Sequence, residues 1–318
     1  MNIENKEKIK VVAIVGPTAC GKTQLSIELA KKLGGEIISA DSMQIYKEMN
    51  IGTAKPTREE MAEVPHHLVD FLEVNREFSV AEYVKLAKKC IFDVNSRGKL
   101  PIIVGGTGLY VTSLLNDINF VEQNFDPTLR ENLMQKLKNE GADSLLSELA
   151  SFDAESAKKL HPNNVGRIIR AIELYHLTGV TMSEHVKNSK KIISPYNPVI
   201  FGLNYRNRAT LYDRINARVD KMLELGLIDE ARRILASDCS KTAMNAICYK
   251  ELIPYFNGEC TLNDAVENLK MQTRRYAKRQ LTWFRKDDRI NWIFIDDYID
   301  FKEILSFCIK TVDFTENM

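Results

Sequence analysis

The fold is decided by one stretch, Gly16-Pro17-Thr18-Ala19-Cys20-Gly21-Lys22-Thr23, which matches the pattern G-x-x-x-x-G-K-T. It follows the apolar run Val11–Val15 and precedes residues 24–33, in which leucines recur at helical spacing. Strand, glycine-rich loop and helix in this order are typical of a phosphate-binding loop, where backbone N–H groups and the helix N-terminus face an anion. The stretch therefore predicts phosphate binding, with a chance turn as the alternative.

Each residue type in the loop has an expected task. Gly16 and Gly21 should allow a close approach of the backbone, Lys22 should reach the outer phosphates, and the Thr23 hydroxyl should coordinate Mg²⁺. The loop itself does not distinguish ATP or another nucleotide from a different diphosphate ligand. That distinction has to come from the rest of the chain.

The composition is typical of a globular enzyme. The 318 residues are 44% hydrophobic and 27% charged, which suits one large domain with an addition, or two domains. No apolar run approaches the roughly 18–20 residues of a membrane span, and residues 1–10 lack the apolar core of an export signal. The six scattered cysteines predict reduced thiols in a cytoplasmic protein. With a net charge of +1, a nucleic-acid partner would need a local basic patch.

An aspartate follows the second predicted strand, Glu36–Ser39, at the position of Asp41. In open α/β sheets the ligand crevice lies at the carboxyl ends of the strands, which is also the edge that carries the phosphate loop. The topology therefore predicts that Asp41 lies near the bound phosphates. A turn or N-cap aspartate without further function is the alternative.

Three further segments of this first part have clear signals. His66–Phe71 predicts a short strand, in which the two adjacent histidine rings would point to opposite faces and make a poor metal pair. Ser79 and Glu82 predict a capping box at the start of a helix. The apolar strand Leu100–Val104 leads into glycines 105, 106 and 108, which admit a ligand or a neighbouring backbone, or simply form a tight turn.

Strand signals then stop, which predicts an all-helical insertion over residues 122–198, between parts of an α/β core at 1–121 and 199–318. Asp126 as N-cap and Pro127 at the first helical position start the first helix of the insertion. Strand character returns at Asn197–Tyr205, and a helix over 210–225 follows. On that helix Arg214 and Arg218 share one face, either for an anion or within a salt-bridged, solvated helix.

The segment 270–289 is strongly basic and contains Tyr276, Trp283 and Phe284. Basic side chains interleaved with aromatic rings suit phosphate backbones and unstacked bases, which predicts RNA binding. A solvated helix with buried aromatic rings is the alternative. The basic residues are Lys270, Arg274, Arg275, Lys278, Arg279, Arg285, Lys286 and Arg289.

These segments together resemble the tRNA dimethylallyltransferases, also called tRNA isopentenyltransferases, over most of the chain. A phosphate loop alone occurs in many families, whereas this many blocks in one order are specific. The resemblance implies an α/β fold with a P-loop NTPase-like core, a parallel sheet flanked by helices, and an all-helical insertion. Besides the phosphate loop, the blocks are Asp41–Tyr46, Gly52–Pro56, Pro65–His67, Phe78–Ala81, Gly105–Tyr110, Asp126–Arg130, Leu160–Asn164, Arg167–Glu173, Arg214–Asp220 and Thr273–Arg285.

The resemblance implies a reaction. The dimethylallyl group would pass from dimethylallyl diphosphate to N6 of the adenosine on the 3′ side of the tRNA anticodon, with Mg²⁺ as cofactor. Asp41 matches the general base of the family, Thr18 matches a catalytic loop threonine, and Arg218 matches an arginine that contacts the pyrophosphate. Arg214 is a second candidate cation for the diphosphate, beside the loop residues 16–23.

The resemblance also implies contacts with tRNA, partly through the insertion, which would act as an arm on the anticodon stem-loop. We expect a monomeric enzyme of the shorter, bacterial type without a membrane partner. Cys20 and Cys248 replace the serine and glycine common in the family, and Cys248 could narrow an approach to the RNA. The implied tRNA-binding residues are Asp41, Ser42, Met43, Gln44, Thr107, Arg130, Asn164, Val165, Gly166, Arg167, Ile168, Arg274, Arg275, Lys278 and Arg279.

Other functions fit parts of the same sequence. A kinase that phosphorylates a small metabolite would explain the phosphate loop and Asp41, but it leaves the insertion and the basic segment unused. An ATP-dependent RNA-binding protein without chemistry is a second alternative. A prenyltransferase acting on free adenine nucleotides is a third, against which the basic segment favours an RNA acceptor.

Overall fold

The computed structural model describes residues 8–118, 120, 126–189 and 193–314, and these divide into two compact units. The first unit comprises Met1–Leu115 and Pro195–Met318, and the second comprises Asn116–Ser194. The predicted boundary at 121/122 lies outside the described residues, as does most of the N-terminal segment in which no export signal was found. The other predicted boundary, 198/199, cuts into a strand that begins at Tyr196.

A six-stranded parallel sheet forms the centre of the first unit, with strand order β3-β2-β4-β1-β5-β6. The inner strands are almost continuously apolar and buried, as expected for a parallel sheet covered on both faces. The strands are β1 (Ile9–Val15), β2 (Gly35–Ser39), β3 (His66–His67), β4 (Leu100–Gly105), β5 (Tyr196–Asn204) and β6 (Ile290–Phe294).

Helices complete both units, and α5 to α9 make up the second. The predicted Ser79–Glu82 capping box and the Asp126–Pro127 helix start are both confirmed. In chain order the helices are α1 (Lys22–Leu33), α2 (Arg58–Glu63), α3 (Val80–Ser96), α4 (Gly108–Leu115), α5 (Pro127–Glu140), α6 (Ala142–Phe152), α7 (Ala154–Lys159), α8 (Val165–Thr178), α9 (Met182–Ser189), α10 (Arg208–Glu224), α11 (Leu227–Ala236), α12 (Lys241–Met244), α13 (Ile247–Lys250), α14 (Ile253–Phe256), α15 (Leu262–Phe284) and α16 (Phe301–Phe314).

Two apolar clusters of the first unit are made of described residues that pack next to the sheet edge and the helices α10 and α15. One packs the sheet against α1, α10 and α16, and Phe201 and Leu25 are fully buried in it. The other packs the segment around Tyr46 against α10, α11, α13 and α15. The second unit has its own core, centred on Leu145, Leu149 and Ile168.

The fold class is confirmed, and one predicted strand is shorter than expected. Only His66 and His67 pair with β2, although the sequence predicted a strand to Phe71. Leu68 and Asp70 have left-handed backbone angles of 59° and 56°, and the N–H groups of Asp70 and Phe71 donate to the carbonyls of Gln44 and Ile45. The chain therefore leaves the sheet in order to pair with the segment that follows Asp41.

No helix among the described residues is long and apolar enough to span a membrane. Helix α16 and the short helices α12 to α14 were not predicted. Helix α16 contributes Ile304, Cys308 and Val312 to the main core and covers α1 from one side. Apolar side chains at i, i+4 and i+8 are the helical signal that could have identified it.

Candidate active site

A cavity of about 800 Å³ opens at the carboxyl edge of the sheet. The phosphate loop, the turn from Asp41 to Gln44 and the glycines after β4 form its floor. Residues of α10, α13 and α15 form the remaining walls. The parallel sheet thus brings its strand ends together as the sequence predicted, and the site uses segments from both ends of the chain.

The phosphate loop has the backbone of an anion-binding turn. Gly21 and Ala19 have φ angles of 80° and 65°, and Lys22 begins α1 directly after the loop. A Cβ on Gly16 would lie 2.4 Å from the carbonyl oxygen of Leu203, so this glycine is needed for contact with β5. Gly21 faces open space. The close approach predicted for Gly16 is therefore an approach to the neighbouring strand.

The side chains of the loop fold back onto the loop itself. The Lys22 ammonium donates to the carbonyl oxygen of Pro17 at 2.7 Å, and the Cys20 thiol donates to the same oxygen at 2.8 Å. Burial raises the pKa of Cys20, which keeps it a thiol. Cys20 therefore fits where serine is common, because a hydroxyl and a thiol can make the same hydrogen bond.

The cations of the cavity have no acidic partners. Among the described residues, no ion pair includes Lys22, Arg214 or Arg218. Removal from water lowers the pKa of both Lys22 and Arg218. The Arg214 guanidinium donates through Nε to the carbonyl oxygen of Ala19 at 3.2 Å, against the phosphate loop. The salt-bridged alternative for this face of α10 is therefore wrong.

Asp41 combines the two alternatives that the sequence left open. One carboxylate oxygen, Oδ1, accepts the N–H groups of Met43 at 2.8 Å and Gln44 at 3.3 Å, which makes Asp41 a turn-forming aspartate. The other oxygen accepts no hydrogen bond from the described residues, and Asp41 lines the cavity. The turn thus fixes the carboxylate and leaves one oxygen for a ligand.

The glycine turn after β4 is packed against its neighbours on every side. A Cβ on Gly105 would lie 2.2 Å from the carbonyl oxygen of Ala40, and a Cβ on Gly108 would lie 2.3 Å from the Trp283 ring. Thr107 Oγ1 accepts the N–H of Ser42 at 3.1 Å. The glycines therefore let a neighbouring backbone and a neighbouring ring come close, which was one of the predicted uses.

Sequence reasoning gave no role to Gln280 or to Glu230, and it named Tyr276 only as an aromatic ring of the basic segment. Gln280 and Tyr276 of α15 line the cavity, and burial together with the charge of Asp41 raises the pKa of Tyr276. The buried carboxylate of Glu230 accepts the N–H groups of Asn50, Ile51 and Gly52 and the Tyr249 hydroxyl. The three backbone contacts cross 178 to 180 residues of chain, so no local pattern could have indicated them.

Cys248, where the family often has glycine, lies in the cavity wall. It is 7% exposed, its sulfur lies 4.0 Å from that of Met222, and burial raises its pKa to about 12. The side chain therefore packs as a small apolar group beside Arg218.

The residues predicted to bind tRNA divide into several environments. Ser42, Met43, Gln44 and Arg279 line the cavity, while Arg275 and Lys278 are exposed on α15. Arg274 donates to Asn216 at 2.6 Å. The carbonyl oxygens of Thr53 and Ala54 accept the Gln44 amide.

In the second unit the predicted tRNA residues surround the start of α8. Asn164 caps the helix, Arg167 is exposed, and Val165 and Gly166 lie in the first turn. Ile168 is fully buried in the core of that unit, so its side chain is not accessible to a partner. Arg130 makes a two-pronged ion pair with the buried Glu173, at 2.7 and 3.0 Å.

A magnesium ion would find few ligands from the protein alone. The described residues contain no group of three or more histidine, cysteine, aspartate or glutamate side chains placed to hold a metal. Thr23 and Asp41 nevertheless line the same cavity. A hydroxyl and one carboxylate fit Mg²⁺ when phosphate oxygens and water supply the remaining ligands, which is its usual mode of binding.

The fold and the cavity define an α/β protein of the phosphate-loop class, with an aspartate and unpaired cations around one anion site. The family model described as IPP transferase matches residues 44–287. The chain belongs to this family. The matched range begins after the phosphate loop. The relatives described next match almost the whole chain.

Relatives and solved structures match almost the full length. The tRNA dimethylallyltransferase of Bacillus subtilis is 52% identical over 93% of this chain and 94% of its own, and that of Thermoanaerobacter sp. is 49% identical over 95% and 97%. The tRNA isopentenylpyrophosphate transferase of Bacillus halodurans superimposes with a TM-score of 0.71 at 44% identity, covering 98% of this chain and 99% of its own. A eukaryotic dimethylallyltransferase acting on tRNA superimposes with a TM-score of 0.81 at 30% identity, and the match covers 97% of this chain and 80% of that chain.

Proposed function

We propose that this enzyme transfers the dimethylallyl group of dimethylallyl diphosphate to N6 of the tRNA adenosine on the 3′ side of the anticodon. The observation that carries the proposal is the cavity itself, which Asp41 lines together with the phosphate loop and with Lys22 and Arg218, two cations that form no ion pair among the described residues. The names of the relatives supply the substrates. The products are N6-dimethylallyladenosine in tRNA and inorganic diphosphate.

The donor diphosphate occupies the phosphate loop in this proposal. The loop N–H groups, Lys22 and Arg218 stabilise the negative charge that develops as the allylic C–O bond breaks and its electron pair leaves with the diphosphate. Such preorganised donors contribute most where water is excluded. Arg214, which also lines the cavity, holds the loop through the carbonyl oxygen of Ala19, and the Thr18 hydroxyl is a further donor.

The acceptor amine is activated on the opposite wall. A new bond forms between N6 and the allylic carbon, and the proton lost from N6 passes to the unoccupied oxygen of Asp41. The turn N–H groups hold the other oxygen, so the carboxylate needs little reorientation. General-base catalysis of this kind contributes about 10²–10⁴-fold.

Magnesium is the cofactor in this proposal. Thr23, and Asp41 through a water molecule, would hold the ion together with diphosphate oxygens. When bound, the ion neutralises charge on the departing diphosphate.

The tRNA contacts are proposed on both units. In the first unit the exposed Arg275 and Lys278 and the cavity residue Arg279 form no ion pair among the described residues. In the second unit the exposed Arg167 offers a further cation. The target base has to leave the anticodon-loop stack in order to enter the cavity.

We propose a monomeric, cytoplasmic enzyme, and sedimentation at assay concentration tests whether it is monomeric.

A transfer assay tests the proposal. Labelled dimethylallyl diphosphate, Mg²⁺ and unmodified tRNA are incubated with the wild-type protein, with Asp41→Asn and with Asp238→Asn, an exposed aspartate without hydrogen-bond partners among the described residues. We expect label at one adenosine for the wild type and for Asp238→Asn, and a loss of about 10²–10⁴-fold for Asp41→Asn. ATP-dependent phosphorylation of a metabolite, without prenyl transfer to tRNA, would favour a kinase instead.

A further inference from the structure

Gln280 of α15 connects two walls of the cavity. Its side chain is buried, with 5% of the residue exposed. The side-chain oxygen accepts the N–H of Thr18 in the phosphate loop at 3.0 Å. The side-chain NH₂ donates to the carbonyl oxygen of Gly106 at 2.9 Å. One amide therefore joins the loop that follows β1 to the turn that follows β4.

The partners fix the orientation of this amide. A backbone N–H can only donate and a carbonyl oxygen can only accept, so the oxygen of Gln280 faces Thr18 and the nitrogen faces Gly106. The space is also closed, because a Cβ on Gly106 would lie 2.1 Å from the nitrogen of Gln280. Neither rotation of the amide nor a larger residue at position 106 is compatible with this packing.

The connection continues to the catalytic aspartate. Thr107 follows Gly106, and its hydroxyl oxygen accepts the N–H of Ser42, the residue after Asp41. The N–H of Thr107 donates to the carbonyl oxygen of Ala40, the residue before Asp41, at 3.3 Å. Gln280 is thus the buried link between the phosphate loop and the turn that carries Asp41.

We infer that Gln280 is a positioning residue, which sets the phosphate loop at the working distance from Asp41. The inference rests on the proposed function, because that distance matters when a donor on one wall reacts with an acceptor on the other. By occupying the Thr18 N–H, Gln280 also leaves the remaining loop N–H groups to face the diphosphate. Misplacement of reacting groups by about 1 Å can cost about 10²-fold in rate.

Two substitutions separate positioning from bulk packing. In Gln280→Glu the carboxylate can still accept from Thr18, but its second oxygen faces the carbonyl of Gly106 without a proton to donate. The neutral carboxylic acid would restore that donor, so the variant should recover as the pH falls. In Gln280→Met both backbone groups lose their partner at every pH.

The surrounding charges are common to all variants. The titratable or charged side chains that line the cavity are Cys20, Lys22, Asp41, Glu60, Arg214, Arg218, Cys248, Tyr276 and Arg279. Their titration affects the wild type equally, so the ratio of variant to wild-type activity at each pH isolates the introduced carboxyl group. Gln272→Glu is the matched control, because Gln272 lies on the same helix and, among the described residues, its side chain hydrogen-bonds to Asn268 alone, at 3.4 Å.

The experiment measures kcat and KM for prenyl transfer between pH 6 and pH 8, the Kd of inorganic pyrophosphate, the Kd of tRNA and the Tm. We expect Gln280→Glu to lose about 10–100-fold in kcat/KM at pH 8 and to recover towards pH 6. Gln280→Met should lose activity without recovery. Both should weaken pyrophosphate binding, while tRNA affinity stays within about threefold and Gln272→Glu behaves as the wild type.

Two results would overturn the inference. One is wild-type transfer and pyrophosphate binding in both Gln280 variants. The other is a pH-independent loss in Gln280→Glu that runs parallel to a fall in Tm and in tRNA affinity, which would indicate a merely structural role. A wild-type protein that binds pyrophosphate but transfers nothing to tRNA would instead refute the proposed function, and the pyrophosphate data would still decide the role of Gln280.

Discussion

Two sets of cations in the first unit differ in whether an acidic side chain pairs with them. The first set is Arg97 and Lys270, and the second is Lys22 and Arg218. In the first set, Arg97 pairs with the buried carboxylate of Glu36 at 2.9 Å, and Lys270 pairs with Asp220 at 2.8 Å. In the cavity, Lys22 donates to the carbonyl oxygen of Pro17, and the thiols and the Asp41 carboxylate near Lys22 and Arg218 form no ion pair with either cation among the described residues. The first set is satisfied within the protein, whereas the second is available to a bound anion.

The two sets also have opposite effects on stability. The Arg97 guanidinium holds the pKa of Glu36 at about 2, so this carboxylate stabilises the folded state at neutral pH. Burial lowers the pKa of Lys22 and Arg218, so each charge costs stability in the free protein. Such a cost at a binding site is typical of a trade-off between stability and activity.

The largest expected effect comes from the phosphate-loop lysine. Replacing Lys22 by methionine should lower kcat/KM for the diphosphate donor by about 10²–10³-fold, since it removes a positive donor from the leaving group. The matched change is Lys47→Met, at a surface lysine that pairs with Glu73 at 2.5 Å. Steady-state kinetics should show wild-type values within about twofold for the control. Equal losses in the two variants would remove the distinction between the two sets.

The next largest effect is expected at Arg218. Arg218→Met should lower kcat/KM for the donor by about 10²-fold, chiefly through a higher KM for the donor. Arg218→Lys should retain part of the activity because it keeps the charge. The control is Arg206→Met, at an exposed arginine that pairs with Asp297. An unchanged donor KM in Arg218→Met, measured at saturating tRNA, would place the diphosphate away from α10.

Glu36 should affect stability and leave activity unchanged. We expect Glu36→Gln to lower the Tm at pH 7 by about 2–6 °C, a range typical of a partly exposed charged pair. Because the folded pKa of about 2 is below the ordinary 4.5, the stabilisation is present above pH 4.5 and is lost as the pH falls towards 2. The difference in Tm between wild type and variant should therefore shrink between pH 5 and pH 3, and a constant difference would contradict this account.

The smallest effect is expected on helix α15. Lys278→Ala should weaken tRNA binding a few-fold and lower the slope of log K against log[salt] by about 1, as for one lost phosphate contact. Lys270→Ala should change that slope less, because Asp220 and Glu267 already neutralise Lys270. Filter binding at several salt concentrations measures both slopes. If the two slopes change alike, the pairing of Lys270 does not determine its part in tRNA binding.

The sequence predicted the features that depend on local pattern. The phosphate loop, the position of Asp41 at a strand end and the capping box at Ser79 all follow from neighbouring residues or from the rule for parallel sheets. The early end of β3 could not be predicted, because the backbone of Asp70 pairs with Gln44 instead of extending the sheet. Gln280 lies 262 residues from Thr18, so only the folded chain reveals their contact.

The charge pattern of the sequence indicated how many cations α10 carries. It did not indicate which of these cations lack an ion-pair partner and can bind an anion. The sequence placed Arg214 and Arg218 on one face of α10, where Asp213 and Asp220 of the same helix are near in sequence. In the structure Asp220 pairs with Lys270, which leaves Arg218 to the cavity. Partner choice of this kind depends on tertiary packing between α10 and α15 and has no signature in either helix alone.

Binding of inorganic pyrophosphate tests most directly whether the unpaired cations form the diphosphate site. The measurement is the Tm of the wild type, Arg218→Met and Arg206→Met, with Mg²⁺ and increasing pyrophosphate. A ligand that binds the folded state raises the Tm by an amount that grows with the logarithm of its concentration divided by its Kd. We predict that free Arg218→Met melts at or above the wild-type temperature and gains little from pyrophosphate, while Arg206→Met gains as much as the wild type. An equal gain in Arg218→Met would contradict the account.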